Sequence, residues 1–431
     1  MNKLQNYFVS VTRQLTGVSK SQFQIKNYPL AAVQNNRSYS AESKTPERTA
    51  LYDFHVKNNG KIVNFGGYAL PVQYADQSIK ASHLHTRKFG SIFDVSHMLQ
   101  TYVHGKHCIS CIESICTADL KGIKKNGRGT LTVFTNENGG ILDDLIIMKL
   151  SDECLYIVSN AAMKEQDMQI MENAVSNYKS DRRDVSIEFL TPTDQSLIAV
   201  QGPTAVAAIA KLLPKNINMD EVKFMETFNS ELAGIPNCRI TRCGYTGEDG
   251  IEISVPSTHV QQLTEALLNS NTEAQLKLAG LGARDSLRLE AGLCLYGKDI
   301  NNKTTPIEAD LTWLVAKRRR AELNYPGAHT VQNQIATGVS KRRAGLLMLG
   351  GSDTPPARTD AQIYHNEELI GQVTSGCPSP SLCKNVAMGY IDNQFAAAGT
   401  NVQLKIRNKL YAAEVVKMPF IKTNYFVKSK K

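Results

Sequence analysis

The sequence predicts a multi-domain protein of the α+β class. Its 431 residues exceed what one small hydrophobic core organises, which favours two or three domains. Segments typical of strands and of helices are mixed up to about residue 340, whereas only short strand-like runs follow. We therefore expect mixed α+β domains followed by an all-β domain.

The N-terminal segment carries charge of one sign only. Residues 1–41 contain five of the 49 basic residues and none of the 40 acidic ones, so removing them lowers the net charge from +9 to +4. A leader rich in Ser, Gln and Asn with spaced basic residues is typical of a mitochondrial transit peptide. We predict a transit peptide over residues 1–39, location in the mitochondrial matrix, and no nucleic-acid partner. An untargeted basic tail is the alternative.

Short elements are predicted after the leader. Residues 49–58 are typical of a short helix or turn, 60–74 of broken strands, 80–89 of a helix and 106–120 of a longer helix. His104, His107, Cys108 and Cys111 lie within eight residues, but structural zinc usually joins separated ligand pairs. We therefore predict cysteines on the buried face of that helix and no metal. His83 and His85 are predicted to be surface residues.

A β-hairpin over residues 129–150 is the clearest local prediction. Residues 131–135 and 141–150 are strand-like, and the Asn- and Gly-rich residues 136–140 between them tolerate positive φ. Asp143 and Asp144 lie inside the second strand, where Asp is rare. Adjacent strand residues point to opposite faces, so one carboxyl should face the interior or a cleft. A solvated pair at the strand edge is the alternative.

Strands and helices alternate after the hairpin. The patterns predict strands at 154–159, 197–200 and 239–241, helices at 163–178, 205–213 and 260–268, and a turn followed by a helix over 278–297. Basic runs at 317–320 and 341–343 then indicate a domain boundary. Such runs are solvated faces or a docking surface for an acidic partner. Six short strand-like runs between 344 and 416 predict a small β-barrel or sandwich.

Several function classes lack support in the sequence. A run of eighteen apolar residues is missing, so no membrane span is predicted. Neither GxxxxGK[ST], a strand-linked GxGxxG nor a GxSxG nucleophile elbow is present, which gives no support for an ATPase, a dehydrogenase or a serine hydrolase. Nine scattered cysteines favour a reducing compartment over a disulfide scaffold.

Six motifs in order over about 370 residues carry a resemblance to a known family. They read FDVSHM, FTNENGGILDDL, RCGYTGEDGIEISV, GLGARDSLRLEAGLCLYG, TSGCPSPSL and KMPFIKTNY. The chain resembles the mitochondrial aminomethyltransferase family, the T-proteins of the glycine cleavage system. The resemblance implies three domains around a central folate hole: two interleaved α+β domains over residues 42–325 and a C-terminal β-barrel over residues 340–428.

The same resemblance implies the reaction and its partners. An aminomethyl group on the lipoyl arm of H-protein loses ammonia, and its methylene carbon passes to tetrahydrofolate. The products are 5,10-methylenetetrahydrofolate and dihydrolipoyl H-protein. Tetrahydrofolate is thus the expected co-substrate, without metal or flavin. Lipoylated H-protein is the expected partner, with looser association with the P- and L-proteins.

The resemblance also assigns site residues through the matching motifs. Asp144 matches the catalytic carboxylate, Glu252 the pterin-binding carboxylate and Arg284 a folate-contacting arginine. Further folate contacts are implied for Tyr425, Met98, Asn160 and Tyr245.

Simple structural alternatives exist for four of these residues. Glu252 would be an outward residue on an exposed strand, with its isoleucine neighbours facing inward. Arg284 would form an ion pair with Asp285 or Glu290, worth little if exposed. Tyr425 would only dock the C-terminal tail, and Met98 would be core.

Two groups of relatives with other functions are the alternatives at the level of the whole chain. Folate-binding iron–sulfur assembly factors carry a reactive cysteine in a KGCYxGQE-type motif, where this chain reads AGLCLYGKDI. The folate domains of dimethylglycine and sarcosine dehydrogenases are attached to a flavin domain. This chain has neither a GxGxxG motif nor room for such a domain.

Overall fold

The computed structural model describes residues 45–270, 273–351 and 354–427. The predicted transit peptide, residues 1–39, lies outside these ranges. The first described elements form a small three-stranded sheet, ordered β1-β3-β2, and a helix that the Ser78 hydroxyl caps by accepting from Ala81 N at 3.1 Å. Their bounds are β1 (Glu47–Arg48), α1 (Tyr52–Lys57), β2 (Gly60–Phe65), β3 (Tyr68–Tyr74) and α2 (Ile79–Lys88).

An eleven-stranded sheet dominates the structure between residues 90 and 278. Its strands are β4 (Gly90–Asp94), β5 (Leu99–His104), β6 (Arg128–Thr135), β7 (Ile141–Ser151), β8 (Cys154–Ser159), β9 (Ser186–Leu190), β10 (Gln195–Gln201), β11 (Glu226–Leu232), β12 (Ile235–Arg242), β13 (Gly250–Pro256) and β14 (Leu276–Leu278). The accompanying helices are α3 (Cys108–Glu113), α4 (Lys164–Ser180), α5 (Ala205–Ala210), α6 (Val260–Asn269) and α7 (Leu281–Glu290).

The large sheet consists of two halves that alternate along the chain. Its order is β14-β4-β10-β13-β12-β11-β6-β7-β8-β5-β9. The first six strands in that order form one half and the last five form the other. The register between the halves consists of one residue pair, Glu226 with Arg128. Because β5 to β9 are inserted between β4 and β10, the first half is built from two separate parts of the chain.

Each half buries one face under its own helices. In the first half, Ile251 and Ile253 of β13 join a core with Ile209 of α5 and Leu263 of α6. In the second half, Leu145 and Ile147 of β7 join a core with residues of α3 and α4. The opposite faces of the two halves are thereby left free to form a site.

The predicted hairpin is confirmed as β6 and β7. They pair antiparallel, and Asn136 Oδ1 accepts from Asn138 N at 3.0 Å and from Gly140 N at 2.9 Å in the turn. Gly139 has a φ of 79°, which a glycine adopts at low cost.

The strand-like runs at the C-terminus form a closed barrel, so the barrel alternative is confirmed over the sandwich. The strand order is β15-β18-β17-β16-β19-β20, around a core that includes Leu346, Ile363 and Leu404. The elements of this region are α8 (Lys317–Glu322), α9 (Ala328–Thr337), β15 (Lys341–Met348), β16 (Gln362–His365), β17 (Glu368–Ser379), β18 (Lys384–Asp392), β19 (Asn401–Ile406) and β20 (Lys409–Val416).

Three local predictions are wrong. The helix expected over 106–120 is only α3, because the chain turns away after Glu113 and Cys116 bridges to Phe134 of β6. The helix expected over 205–213 ends at Ala210. His83 is fully buried rather than at the surface, where it contacts Ser286 at 2.8 Å and Glu290 at 3.0 Å.

The basic run at residues 317–320 is used mainly inside the fold rather than as a free charged face. Arg319 is fully buried, and its guanidinium donates to the backbone oxygen of Glu113. Arg318 forms ion pairs with Glu113, with Asp119 at 2.7 Å and with Glu322 at 2.6 Å. These contacts attach α8 to the segment around α3 and leave little of the run for an acidic partner. Within the described ranges, the helices are too short or too polar to span a membrane.

Candidate functional site

A narrow cavity lies between the free faces of the two sheet halves. Arg239 of β12 connects the two halves, because its Nε donates to Tyr102 Oη of β5 at 3.1 Å and its guanidinium lies 5.4 Å from the ring centroid of Tyr156, which lines the cavity. The lining is contributed by β7 and β8 from one half and by β10, β12, β13 and the segment after β12 from the other. The lining residues are Ile146, Met148, Tyr156, Val158, Leu197, Thr241, Cys243, Glu252 and Ser254.

Strand alternation places Asp144 on the cavity face of β7. Ile146 and Met148 line the cavity, and Asp144 lies two residues before Ile146 on the same face. Asp143 is fully buried on the other face, with Leu145 and the helix-covered core. The two carboxyls therefore point in opposite directions, so the solvated-pair alternative is wrong.

Asn160, just after β8, connects the two aspartates. Its Nδ2 donates to Asp143 Oδ1 at 2.9 Å, to Asp144 Oδ1 at 3.0 Å and to the backbone oxygen of Asp144 at 3.0 Å. Its backbone N donates to Asp143 Oδ2 at 3.0 Å. The contacts of Asn160 therefore position the Asp144 carboxyl.

The Asp144 carboxyl has an unusual protonation equilibrium. Burial raises its pKa, and the neighbouring Asp143 raises it further, to about 7, while the hydrogen bond from Asn160 acts in the opposite direction. Both protonation states are consequently accessible near neutral pH. A carboxyl of this kind is suited to acid–base or electrostatic roles.

Glu252 lies on the other wall of the cavity, and the charge of Arg284 is close enough to affect its ionisation. Glu252 belongs to β13 and lines the cavity, while its neighbours Ile251 and Ile253 are in the core. Burial raises the pKa of Glu252, although the charge of Arg284 opposes this shift. The free face of β13 is therefore a cavity wall and not an exposed surface.

Arg284 lies in the first turn of α7. It does not form the ion pair with Asp285 or Glu290 that was the structural alternative for this residue. Asp285 accepts instead from Arg288 at 2.9 Å, and Glu290 pairs with Arg87 at 3.0 Å. The guanidinium lies 4.8 Å from the ring centroid of Tyr245, and its buried Nη1 has no hydrogen-bond partner among the described residues. A buried guanidinium N–H without a partner is suited to a ligand oxygen or ring nitrogen.

Tyr245 lies near both Arg284 and Asp144. Its ring supports the guanidinium, its hydroxyl donates to the backbone oxygen of Cys294, and burial with the charge of Asp144 raises its pKa. Asp144, Tyr245, Arg284 and Glu252 are thus brought together in one site. Met98 packs against an apolar cluster that includes Leu197 and Val158, both of which line the cavity.

Tyr425 has the contacts of a docked tail. Its ring stacks on Phe224 at a centroid distance of 4.3 Å, and the adjacent Asn424 donates from its backbone N to Gly247 O at 2.8 Å. These contacts match the docking alternative, and a folate contact by Tyr425 stays a prediction.

Sequence reasoning missed two polar neighbours of the site. Cys243 lines the cavity beside Glu252, and burial together with Glu252 raises its pKa, so it is a thiol. Asp167 is fully buried on α4, on the same helical face as Met171, Ala174 and Val175. An acid on the apolar stripe of a predicted helix is a signal that periodicity could have found.

The histidines and cysteines near α3 have structural contacts. Cys108 and Cys111 are buried in the core, as predicted for the helix face, and His107 Nδ1 accepts from Asp184 N at 3.1 Å. Over residues 45–270, 273–351 and 354–427, no group of three His, Cys, Asp or Glu side chains is arranged to hold a metal ion.

Comparisons with known proteins match nearly the whole described chain. The GCVT N-terminal domain model matches residues 51–319, and the glycine cleavage T-protein C-terminal barrel domain model matches residues 341–422. A mitochondrial aminomethyltransferase of Homo sapiens is 46% identical over 415 residues, covering 96% of this chain and 99% of that protein. One from Flaveria pringlei is 44% identical, covering 90% and 93%.

A solved structure has the same architecture. The crystal structure of glycine cleavage system aminomethyltransferase T from Bartonella henselae is 35% identical and has a TM-score of 0.80, covering 88% of this chain and 99% of that chain.

Proposed function

The chain belongs to the glycine cleavage T-protein family, and from this premise we propose how its residues carry out the family's reaction. It is an aminomethyltransferase of the glycine cleavage system, a tetrahydrofolate-dependent enzyme. It is a mitochondrial protein, as the related aminomethyltransferases are. Its placement in the matrix and cleavage of residues 1–39 are parts of the proposal.

The proposed substrate is the aminomethyl group on the lipoyl arm of H-protein. The bond between the methylene carbon and nitrogen breaks and releases ammonia, and the carbon–sulfur bond breaks to return dihydrolipoyl H-protein. The same carbon forms bonds to two nitrogens of tetrahydrofolate. Each of these nitrogens loses one proton. One proton completes the ammonia and the other completes the lipoyl thiol, so the reaction needs no oxidant.

The observation that carries this proposal is the position of Asp144 on the face that shares a cavity with Glu252. An amine leaves poorly as an anion, so it leaves protonated or with positive charge developing on the carbon. A fixed carboxylate stabilises that charge and orients the attacking nitrogen. The pKa of about 7 keeps Asp144 able to hold or release a proton in the same pH range.

The second wall fits the pterin part of tetrahydrofolate. A pterin edge offers an amino group and a ring N–H, which suit the two oxygens of Glu252. The unpartnered Nη1 of Arg284 is available for an acceptor on the same ring system. Tyr245 holds that guanidinium in place through its ring. We propose Met98, Asn160 and Tyr425 as further folate-lining residues, with the support for Tyr425 coming from its motif alone.

The remaining parts of the proposal concern organisation. Two interleaved α+β domains over residues 42–325 and a barrel domain over 340–428 are supported by the insertion of β5 to β9 within the other half of the sheet. Lipoylated H-protein is the proposed direct partner, with looser association with the P- and L-proteins.

A transfer assay tests the proposal. The purified protein is mixed with tetrahydrofolate and aminomethylated H-protein, and ammonia and 5,10-methylenetetrahydrofolate are quantified together. We expect equal amounts of both products, and neither product without H-protein. Tetrahydrofolate binding by calorimetry without any transfer would instead identify a folate-binding relative that lacks the activity.

A further inference from the structure

A pair of buried carboxyls lies on the side of β7 that faces away from the cavity. Asp143 of β7 and Asp167 of α4 are both fully buried, and their carboxyls are close enough for each to shift the pKa of the other. The ion pairs formed by the described residues include neither of them, so no cation offsets their charge there. Two carboxylates in contact in a dry environment cannot both be ionised, so one proton is shared between them.

The N–H donors that the described residues place around the pair serve Asp143 and leave Asp167 without any. Asp143 accepts from the backbone N and from the Nδ2 of Asn160. Neither oxygen of Asp167 accepts from an N–H group of the described residues, and the hydroxyl of Ser159 is its neighbour on β8. Burial, and then the partner carboxyl, raise the pKa of Asp143. A proton held between the two carboxyls would give Asp167 the hydrogen bond that no N–H group of the described residues supplies.

The Asn160 amide connects this pair with the cavity. Its two Nδ2 hydrogens serve three oxygens, one on Asp143 and two on Asp144. A movement of Asp143 would redirect the amide and hence the carboxyl of Asp144. Because Asp143 is held between Asn160 and Asp167, the orientation of Asp144 depends on contacts made from the far side of the sheet.

We propose that Asp143 and Asp167, sharing one proton, are positioning residues that act through Asn160 to hold the Asp144 carboxyl in its reactive orientation. The proposal rests on the assignment of Asp144 as the catalytic carboxylate. Neither residue of the pair touches the cavity. The pair retains one negative charge, which is felt by Asp144 on the opposite face of the same strand.

Other titratable groups also act on these three carboxyls and define the background for a pH experiment. Asp299 adds negative charge near Asp144, and no charged partner of opposite sign is bonded to the pair in the described ranges. The neighbouring uncharged titratable groups are Tyr245, Cys294 and Tyr296, all with raised pKa values because they are buried.

The kinetic experiment compares amide and alanine variants of the pair. In Asp167→Asn, the amide N–H replaces the shared proton and Asp143 keeps both oxygens that accept from Asn160, so we expect kcat within about fivefold of wild type. In Asp143→Ala, Asn160 loses its anchor, and we expect kcat to fall roughly 10–100-fold with KM for tetrahydrofolate changed much less. Glu172→Gln, an exposed acid on the same helix, is the matched control.

The kcat–pH profile of the double variant Asp143→Asn/Asp167→Asn distinguishes positioning from a purely structural role, which would leave this profile unchanged. The double variant removes the negative charge behind Asp144, so the pKa of Asp144 should fall. The acidic limb of the kcat–pH profile should therefore move to lower pH, by one unit or more at the scale of a neighbouring like charge. Thermal unfolding of each variant, measured in parallel, separates loss of fold from loss of rate.

An infrared experiment tests the shared proton without any assay of activity. At about pH 8, one unit above the pKa of Asp144, the wild type should show absorption of a buried protonated carboxyl that Asp143→Asn lacks. A wild-type enzyme that shows this absorption but transfers no methylene group would refute the proposed function alone. Equal spectra in wild type and variant would refute the shared proton.

Two kinetic outcomes overturn the positioning role. Wild-type kcat and pH profile in Asp143→Ala would show that the pair does not act on Asp144. A loss in Asp167→Asn as large as that in Asp144→Asn, with unchanged thermal unfolding, would show that Asp167 must be ionised, and the shared-proton arrangement would be wrong.

Discussion

The large sheet buries carboxyl groups in two regions and surrounds them in opposite ways. At the end of β4, Asp94 accepts from Thr49 Oγ1 at 2.7 Å, from His55 Nε2 at 2.9 Å and from Ser96 N at 2.9 Å. Burial by itself would raise its pKa, but the contacts with His55 and the two other donors lower it to about 2. On β7, Asp144 accepts one side-chain hydrogen bond and lies next to another acid, and its pKa is about 7.

In this fold, the ionisation of a buried carboxyl therefore depends on whether donors or neighbouring acids surround it. Glu290 repeats the first arrangement: burial is outweighed by His83, Ser379 and Ser381, which lower its pKa to about 2. Such acids are permanently ionised and connect elements, in this case α7 with α2 and the barrel. The acids on β7 have few donors and remain able to exchange protons.

The largest expected effect is that of Asp144→Asn. It keeps the size of the side chain and removes the charge that would stabilise the transition state, so we expect kcat to fall roughly 10²–10³-fold. Tetrahydrofolate affinity should change much less, since Glu252 and Arg284 form the other wall. Turnover and calorimetry on the same preparation measure both. Asp143→Asn, on the opposite face of the strand, should reduce kcat less than Asp144→Asn does; full turnover in Asp144→Asn would remove the carboxylate mechanism.

Glu252→Gln should act on binding instead. Replacing a charged acceptor of two N–H groups by an amide loses charge-assisted hydrogen bonds, which corresponds to roughly 10–100-fold weaker tetrahydrofolate binding. Calorimetry checks this value, with the exposed Glu265→Gln as the matched control. Unchanged affinity would mean that the pterin is not bound at this wall.

Asp94→Asn should reduce stability. A carboxyl with its pKa lowered from 3.8 to about 2 contributes about 2 kcal/mol to the free energy of unfolding at neutral pH. This contribution is present above the unfolded pKa of 3.8 and is lost as the pH falls towards 2. Chemical denaturation should therefore show a larger loss of unfolding free energy relative to wild type at pH 7 than near pH 3. A pH-independent difference would contradict the electrostatic origin.

The last test is the pH dependence of the wild-type enzyme, which needs no substitution. If ionised Asp144 is required, kcat falls about tenfold per unit below its pKa of about 7 and is constant above it. A kcat–pH profile measured at saturating substrate tests this, and the acidic limb should disappear in Asp144→Asn. A limb that persists in that variant would belong to another group.

Local features of this fold could be predicted from the sequence, and contacts between distant segments could not. The hairpin and the opposite orientations of Asp143 and Asp144 follow from turn residues and from the two-residue period of a strand. The burial of His83 depends on Glu290 more than 200 residues later. The internal use of Arg318 and Arg319 depends on Glu113 in the same way.

The candidate site shows the same division. The matching motifs indicated Asp144, Glu252 and Arg284, and the structure brings these three residues together with Tyr245. The strand pattern around Asp143 could not predict its neighbour Asp167, because Asp167 belongs to a helix. Its presence on the apolar stripe of α4 was visible in the sequence, but the group it faces was not.

The insertion of one half of the sheet into the other has a consequence for the order of folding. The pairs β6–β7 and β7–β8 join strands that are adjacent in sequence and close short loops, whereas Asp94 of β4 pairs with Ile198 of β10 about a hundred residues later. Long loops cost more entropy to close, and sheets with distant pairings form slowly. During synthesis, β4 therefore cannot pair with β10 until the inserted strands β5 to β9 have been made and β10 has emerged. Pulsed hydrogen exchange during refolding should protect the amides of β7 and β8 before those of β4; simultaneous protection would show that the two halves fold as one unit.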